Sequence, residues 1–360
     1  MVFSRRIAAV LACACTGAGA LWAAAALPAD PGWHDPLDTP AAASPLAQRG
    51  LFTALARAGE RLVAVGQRGH VLWSEDGGRH WQQAAVPVST DLVAVAFPTP
   101  AQGWAVGHDG VILASTDGGR SWTRRLDGNG LGALLVAHYE RAAAPSAQEP
   151  AAKWLAEARR LAEQGTQNPW LDVWFQDAST GFVVGAFGLV LHTRDGGQTW
   201  TPWLDRVDNP KALHLYAVRG IGEDVFVVGE QGLALKLDRA AGRFRALDMP
   251  YAGTLFGITG APDALVVHGL RGSLLRSTDG GQRWQALPAT VPAGLGAAAT
   301  DAQGRIVVVS QAGHVLLSSD RGASFAPTKV ERPLPAAAVL TTPDGLVLAG
   351  PRGVHTLNLP

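Results

Sequence analysis

Five aspartates hold the same place in a recurring stretch of sequence and are the first candidates for chemistry. Asp76, Asp117, Asp195, Asp279 and Asp320 each follow a Ser or Thr by two residues. Each precedes a Trp or Phe by five, in the pattern S/T-x-D-x-G-x-x-W. A carboxylate can bind calcium or act as a general acid. Both chemistries need several oxygen donors, or a second carboxylate, at one point in space. One aspartate per repeat gives neither, whereas turn chemistry accounts for the spacing. The carboxylate accepts backbone N–H groups just ahead of it, and glycine supplies positive φ. These aspartates are therefore read as structural.

Other reactive residues are sparse. The ten histidines are scattered, without H-E-x-x-H or paired spacing, so no metal site is expected. His70 and His314 stand at equivalent positions of two repeats, which common ancestry explains. The two cysteines, Cys13 and Cys15, lie in an apolar N-terminal stretch, which leaves the rest of the chain without thiol chemistry. Thirty basic residues balance thirty acidic ones, which excludes the electrostatic footprint of a nucleic-acid binder. Val63-Ala64-Val65-Gly66 is glycine-ended, but it lacks the helix start that a phosphate loop needs. No cofactor is expected.

The elements that carry these residues repeat seven times. VAVGQRGHVLWSEDGGRHW (63–81), WAVGHDGVILASTDGGRSW (104–122) and FVVGAFGLVLHTRDGGQTW (182–200) are the clearest copies. Residues 226–244, 265–284, 306–325 and a shortened 346–359 continue the series. The closing aromatic recurs at 81, 122, 200, 244, 284 and 325. Its spacing is near 40 except for one long interval between 122 and 200. A period of about 40–45 residues with four β-rich runs per unit predicts a radial array of four-stranded blades. The expected fold is an all-β, seven-bladed β-propeller with Asp-box repeats and a two-helix insertion between blades 2 and 3. The helical pattern falls at 131–144 and 150–164, inside an insertion spanning 127–169. In blade four, Asp238 and Phe244 survive but the glycine pair is lost, so a looser turn is expected there. The shortened seventh unit lacks an outer strand, and the segment from Trp33 to Ala47 is expected to supply it.

The N-terminus sets the compartment. Arg5 and Arg6 precede an apolar, small-residue run, which reads as a secretory signal peptide over residues 1–29, with the propeller over 30–360. The other reading is an uncleaved membrane anchor. The mature chain holds no further stretch long enough to span a membrane. The expected location is the periplasm or an equivalent lumen, with association to the membrane.

In an up-and-down blade, the link between strands two and three lies at the same end as the link to the next blade. The residues before each hairpin glycine therefore share one face. From that face Arg68, His108, Asp109, Phe187, Glu230, Arg271 and Arg352 are candidate partner-binding residues, because they vary on a fixed frame. The insertion emerges there too. Its Trp154 belongs to an apolar helical stripe beside Arg159 and Arg160, and that stripe either packs on the rim or docks a partner.

The repeat VG-x-x-G-x-V/I-L-x-S/T-x-D-G-G-x-x-W resembles the photosystem II stability/assembly factor family over residues about 50–359. That resemblance implies a seven-bladed propeller without enzymatic activity that binds membrane-protein intermediates from the lumenal or periplasmic side. The expected partner is a membrane-protein complex or another envelope protein, and the chain is expected to be a monomer. In hosts without photosynthesis it implies an envelope- or transport-associated role. A glycoside hydrolase of sialidase type is the alternative. It would require an arginine cluster, a Tyr–Glu pair and an acid in the channel, and only Tyr139, Tyr216 and Tyr251 are available as tyrosines.

Overall fold

The computed structural model describes residues 32–143, 149–288 and 291–358. The signal-peptide reading of 1–29, with Cys13 and Cys15, falls outside the described residues, as does Pro145 between the helices. From Asp35 onward the chain forms an all-β, propeller-like array of seven antiparallel sheets, six of four strands and one of three. Sheet one takes Phe52–Ala58, Arg61–Gly66, Val71–Ser74 and Gln82–Gln83 in order. Sheet two takes Leu92–Ala96, Gly103–Gly107, Ile112–Ser115 and Thr123–Leu126, and the later sheets follow suit.

The second strand of each sheet reads as an unbroken apolar run. Val71, Val106, Val183, Val227 and Val308 are all fully buried on second and third strands, because a neighbouring sheet covers each face. Apolar clusters lie between successive sheets. The cluster joining Phe52, Leu62 and Leu72 to Val347, Ala349 and Val354 packs the first sheet against the seventh, which closes the ring.

Ring closure differs from the sequence expectation. Residues 35–50 do not add a strand to the last sheet, Ala338–Thr342, Gly345–Gly350 and Gly353–Leu357. They run over the linker that follows the first sheet. Ser89 N–H donates to Pro36 O at 2.8 Å, Ala41 N–H to Val86 O at 3.0 Å, and Ser44 N–H to Gln83 Oε1 at 3.0 Å. Arg124 holds the Leu37 carbonyl at 2.8 Å, and Leu37 itself is buried. The physical reason is local: Pro36, Pro40 and Pro45 have no N–H to give a ladder. Only the turn Ala47–Arg49 reaches the last sheet, where the Gln48 carbonyl lies 2.2 Å from the position a Cβ would take on Gly353.

The insertion forms α1 (Gly128–Ala143) and α2 (Glu149–Glu163). Helix α1 starts three residues before the apolar periodicity does, because Asp127 caps it: its Oδ1 accepts Gly130 N–H at 3.1 Å. Gly132 lies against Ala162, so the two helices cross closely.

Candidate functional site: the hairpin-turn face and the central channel

The turns joining second to third strands are built alike. In the first sheet, Gln67 N–H donates to Leu51 O, just ahead of the innermost strand. The same bond recurs from His108 to Asp91, Ala186 to Pro169, Glu230 to His214, Leu270 to Thr254 and Gln311 to Gly294, all at 2.9–3.1 Å. Six turns thus sit at the starts of the innermost strands, on one face. The Val-Gly of the repeat follows from this. A Cβ on Gly66 would lie 2.1 Å from the Leu51 carbonyl, so only glycine fits.

The middle residue of five turns is held left-handed although it is not glycine. Arg68, Asp109, Phe187, Gln231 and Arg271 have φ of 57°, 54°, 55°, 52° and 58°. Two of these backbones are tied to the linker entering the next sheet. Arg68 N–H donates to Asp91 Oδ1 at 2.8 Å, and Phe187 N–H to His214 Nδ1 at 2.8 Å. Thr90 donates its hydroxyl to Asp109. With the backbones fixed, Arg68, His108, Arg271 and Arg352 are exposed, while Asp109 and Glu230 are half-buried. Glu230 accepts the His214 N–H at 2.8 Å, so this carboxylate positions a linker. His214, Thr90 and Asp91 escaped the sequence reading; each stands one or two residues ahead of an innermost strand, which is the signal that marks them. A groove of about 590 Å³ opens between the fourth sheet's turn and the following linker, with Lys211, Gln231, Met249 and Tyr251 on its walls.

The insertion sits on the same face. Trp170 Nε1–H donates to Gly110 O at 3.0 Å, and a Cβ on Gly110 would meet the Gly128 backbone at 2.8 Å. Leu131, Leu135, Ala158 and Leu161 are buried in the cluster between the second and third sheets, with Trp154 half-buried against it. The stripe packs. Tyr139 is buried and donates its hydroxyl to Asp205 Oδ1 at 2.9 Å; burial, then the Asp205 charge, pushes its pKa far up. Arg159 pairs with Glu140 at 3.1 Å and Arg160 with Glu157 at 2.6 Å, both exposed. The Arg160 guanidinium also lies 6.0 Å from the Phe187 ring centre, which links helix α2 to the turn face.

The aspartates of the repeat lie at the opposite end, beside the turns between first and second strands. Gly118 N–H donates to Ala101 O and Gly196 N–H to Ser179 O, both at 2.8 Å. Asp117 Oδ1 accepts the Ser115 hydroxyl at 2.8 Å and the Arg120 and Ser121 N–H groups at 3.0 Å, while Oδ2 accepts the Ser121 hydroxyl at 2.6 Å. Asp76, Asp195, Asp279 and Asp320 do the same with their own neighbours. The acidity follows. The Arg283 side chain and N–H bring Asp279 down to about 2, and the His80 N–H holds Asp76 far below the usual range. For Asp117 burial works the other way and is outweighed by Ser121 and Ser115. Trp81, Trp122 and Trp284 give their indole N–H to the carbonyl three residues back, at 2.9–3.1 Å.

A central cavity of about 820 Å³ is lined by all seven innermost strands. Ala, Gly and Val make up half of its lining residues. Among the lining residues one carboxylate, Asp172, meets one guanidinium, Arg219, and they form an ion pair. Asp172 is buried, which pushes its pKa up against the pull of Arg219. His268 donates from Nδ1 to Leu295 O at 2.8 Å, and burial lowers its pKa to about 4. Tyr216 stacks edge-on to Phe256 at 5.8 Å. The arrangement offers one paired carboxylate where glycoside hydrolysis uses two at fixed separation.

Comparison with known proteins agrees with this architecture. The family model described as photosynthesis system II assembly factor YCF48 matches residues 78–133 and 153–329, with the break inside the helical insertion. A curated relative, the photosystem II assembly lipoprotein Ycf48 of Synechococcus sp. (strain CC9902), is 28% identical over 128 residues. That stretch is 34% of this chain and 37% of the relative, so the match spans little more than a third of the relative's length. The solved structure of YCF48 bound to D1 peptide is 17% identical, covering 85% of this chain and 92% of that one, with a TM-score of 0.61. YCF48 from Cyanidioschyzon merolae is 16% identical, with 86% and 96% covered and a TM-score of 0.62. The WD40 propeller domain of Doa1 reaches 0.61 at 10% identity, with 88% and 94% covered. At such identities the structures speak for the fold, and the family match for the lineage: the chain belongs to the YCF48 photosystem II assembly factor family.

Proposed function

We propose that this chain is a seven-bladed Asp-box propeller that works outside the cytoplasm, in the periplasm or a lumen, as a non-catalytic assembly or stability factor. Its client is a membrane-protein complex or another envelope protein, held on the hairpin-turn face by Arg68, His108, Asp109, Phe187, Glu230, Arg271 and Arg352. In a photosynthetic host the client is a photosystem II intermediate; elsewhere it is an envelope or transport complex.

The observation that carries this reading is the row of left-handed turn residues. A left-handed backbone costs an L-residue about 1–2 kcal/mol, and glycine avoids the cost. Arg68, Phe187 and Arg271 bear it with long or bulky side chains standing out from the ring. Large exposed apolar residues, Leu51, Phe187 and Leu270, join them on that face at 37–38% exposure. Strain retained where side chains project into solvent is a mark of a binding surface. The YCF48 structure with a bound D1 peptide supports a polypeptide client. The lone Asp172–Arg219 pair in the channel supports a reading without glycoside chemistry.

Capture from detergent-solubilised membranes tests it. Tagged protein should recover a discrete membrane complex, and so should R79A/R283A, altered at the opposite end. The triple variant R68A/F187A/R271A should recover none. Equal capture by all three refutes the assignment of the face.

A further inference from the structure

The seventh sheet stops one strand short of the others. Gly353–Leu357 pairs with Gly345–Gly350 on one side, and among the described residues no strand pairs with its other side. In the two-residue hairpin at Pro351-Arg352, the flanking pair Gly350–Gly353 is the hydrogen-bonded one. Alternation makes Leu348–His355 and Leu346–Leu357 hydrogen-bonded as well, so Val354 and Thr356 turn their N–H and C=O outward. In four complete sheets the residue equivalent to Val354 uses that carbonyl. Val71, Val190, Ala234 and Leu274 accept the N–H of Ala84, Trp203, Leu247 and Leu287 at 2.8–2.9 Å.

Side chains on this strand tell the same story. The position equivalent to His355 is leucine in every complete sheet: Leu72, Leu113, Leu191, Leu235, Leu275 and Leu316. Each is at most 2% exposed and shares its apolar cluster with the aromatic that leads the outer strand. The seventh sheet has no such aromatic, and there the leucine is replaced by exposed His355. A polar residue at an open edge keeps it from pairing indiscriminately.

We propose that this edge is a second binding site, which takes an extended segment of a partner polypeptide as a fourth strand with an aromatic side chain seated beside His355. The occupant follows from the six filled copies in the same chain, each of which begins its outer strand with Trp or Phe. A second copy of the protein fits worse, because its own edge offers Val354, His355 and Thr356 and no aromatic. Residues 35–46 are engaged elsewhere, over the linker behind the first sheet. Strand addition needs only main-chain groups for affinity, with alternate side chains for selection. The site is separate from the hairpin-turn face and stands or falls without it.

The probe is a labelled synthetic peptide with the sequence of residues 283–288, RWQALP, the outer strand of the fifth sheet, titrated into the full chain by fluorescence anisotropy. In the fifth-sheet register its leucine N–H faces Val354 O and its glutamine faces Thr356. The expected result is saturable one-to-one binding, weakened about tenfold or more by N-methylation of that leucine or by replacing the tryptophan with alanine. T356P, which removes one outward N–H, should weaken it similarly, and the Thr356 amide should exchange slowly only with peptide present. Undiminished binding of the N-methylated peptide overturns the proposal, as does absence of binding. So does a Thr356 amide already protected in the free protein, or a dimer that T356P splits. The peptide series uses unaltered protein, so it decides the matter even where T356P misfolds.

Discussion

Replacing Asp117 with alanine isolates what one repeat aspartate contributes to the scaffold. The carboxylate accepts two backbone N–H groups at 3.0 Å and two hydroxyls at 2.6 and 2.8 Å, and it is half-buried. A hydrogen bond to a charged group is worth about 1.5–3 kcal/mol when burial is complete. Water can reach the N–H groups of Arg120 and Ser121 once the carboxylate is gone, so the sum shrinks to about 3 kcal/mol. Asp238 is the internal control. It lies one position earlier in the fourth sheet, where Thr116 stands in the second and where Arg239 follows in the place of Asp117. It accepts a single N–H, from Ala241 at 2.9 Å, and its contact with Arg245 is 3.8 Å long and half exposed. Its removal should cost about 0.5–1 kcal/mol. Unfolding entropy for a ring of this size is roughly 0.7 kcal/mol per degree, so D117A should lower Tm by about 4 °C and D238A by about 1 °C. Urea unfolding followed by tryptophan fluorescence gives the free energies, with D117N expected in between. Equal losses in the two alanine variants would refute the reasoning, because they would show that the bond count at each turn does not set its worth.

Two further effects follow from buried groups. His268 is neutral in the fold, since its pKa drops from 6.5 to about 4, so the unfolded chain takes up a proton first as pH falls. Its contribution is complete above pH 6.5 and lost on the way down to about 4; between pH 7.5 and 5 the wild type should lose about 2 kcal/mol more than H268Q in urea unfolding. The lowered pKa values of the repeat aspartates place their own losses at more acid pH, outside that window. Tyr139→Phe leaves Asp205 without its buried donor and should cost about 1 kcal/mol, with the helices intact by circular dichroism.

Local chemistry made most of the architecture legible. The Ser/Thr-x-Asp-x-Gly turn is specified within eight residues, and seven copies of the repeat, five of them with that turn, disclose the array before any contact between sheets is considered. The hairpin glycines were legible as turns, but the reason for Gly66 was not, because the carbonyl it must clear belongs to Leu51, fifteen residues earlier. Long-range partners were out of reach for the same reason. Asp172 meets Val218 and Arg219 across 46 and 47 residues, and no periodicity marks that pair. The start of α1 was placed late because Gly128, Gly130 and Gly132 argue against helix, while the Asp127 cap and the close crossing with Ala162 favour it. The fourth strand expected for the last sheet does not form from residues 35–46, because the prolines at 36, 40 and 45 have no N–H to give a ladder.

The two ends of the ring are held by different means, and that difference decides where variation is free. At the aspartate end each turn is fixed by its own side chains, so changing Asp117 or Ser115 changes the backbone itself. At the hairpin end the backbone is fixed mainly by main-chain carbonyls ahead of the innermost strands, such as Leu51 O and Thr254 O, which no substitution at the turn removes. The side chains of Arg68 and Arg271 are thereby released from any structural duty while their direction stays set by the left-handed backbone. Helix α2 modifies this over the third sheet alone, where Arg160 reaches Phe187. A surface whose frame is indifferent to its side chains, and whose side chains cannot swing away with the backbone, is what selective docking of a polypeptide requires. The aspartate end lacks that independence, since every exchange of a turn Ser, Thr or Asp there is also a folding mutation.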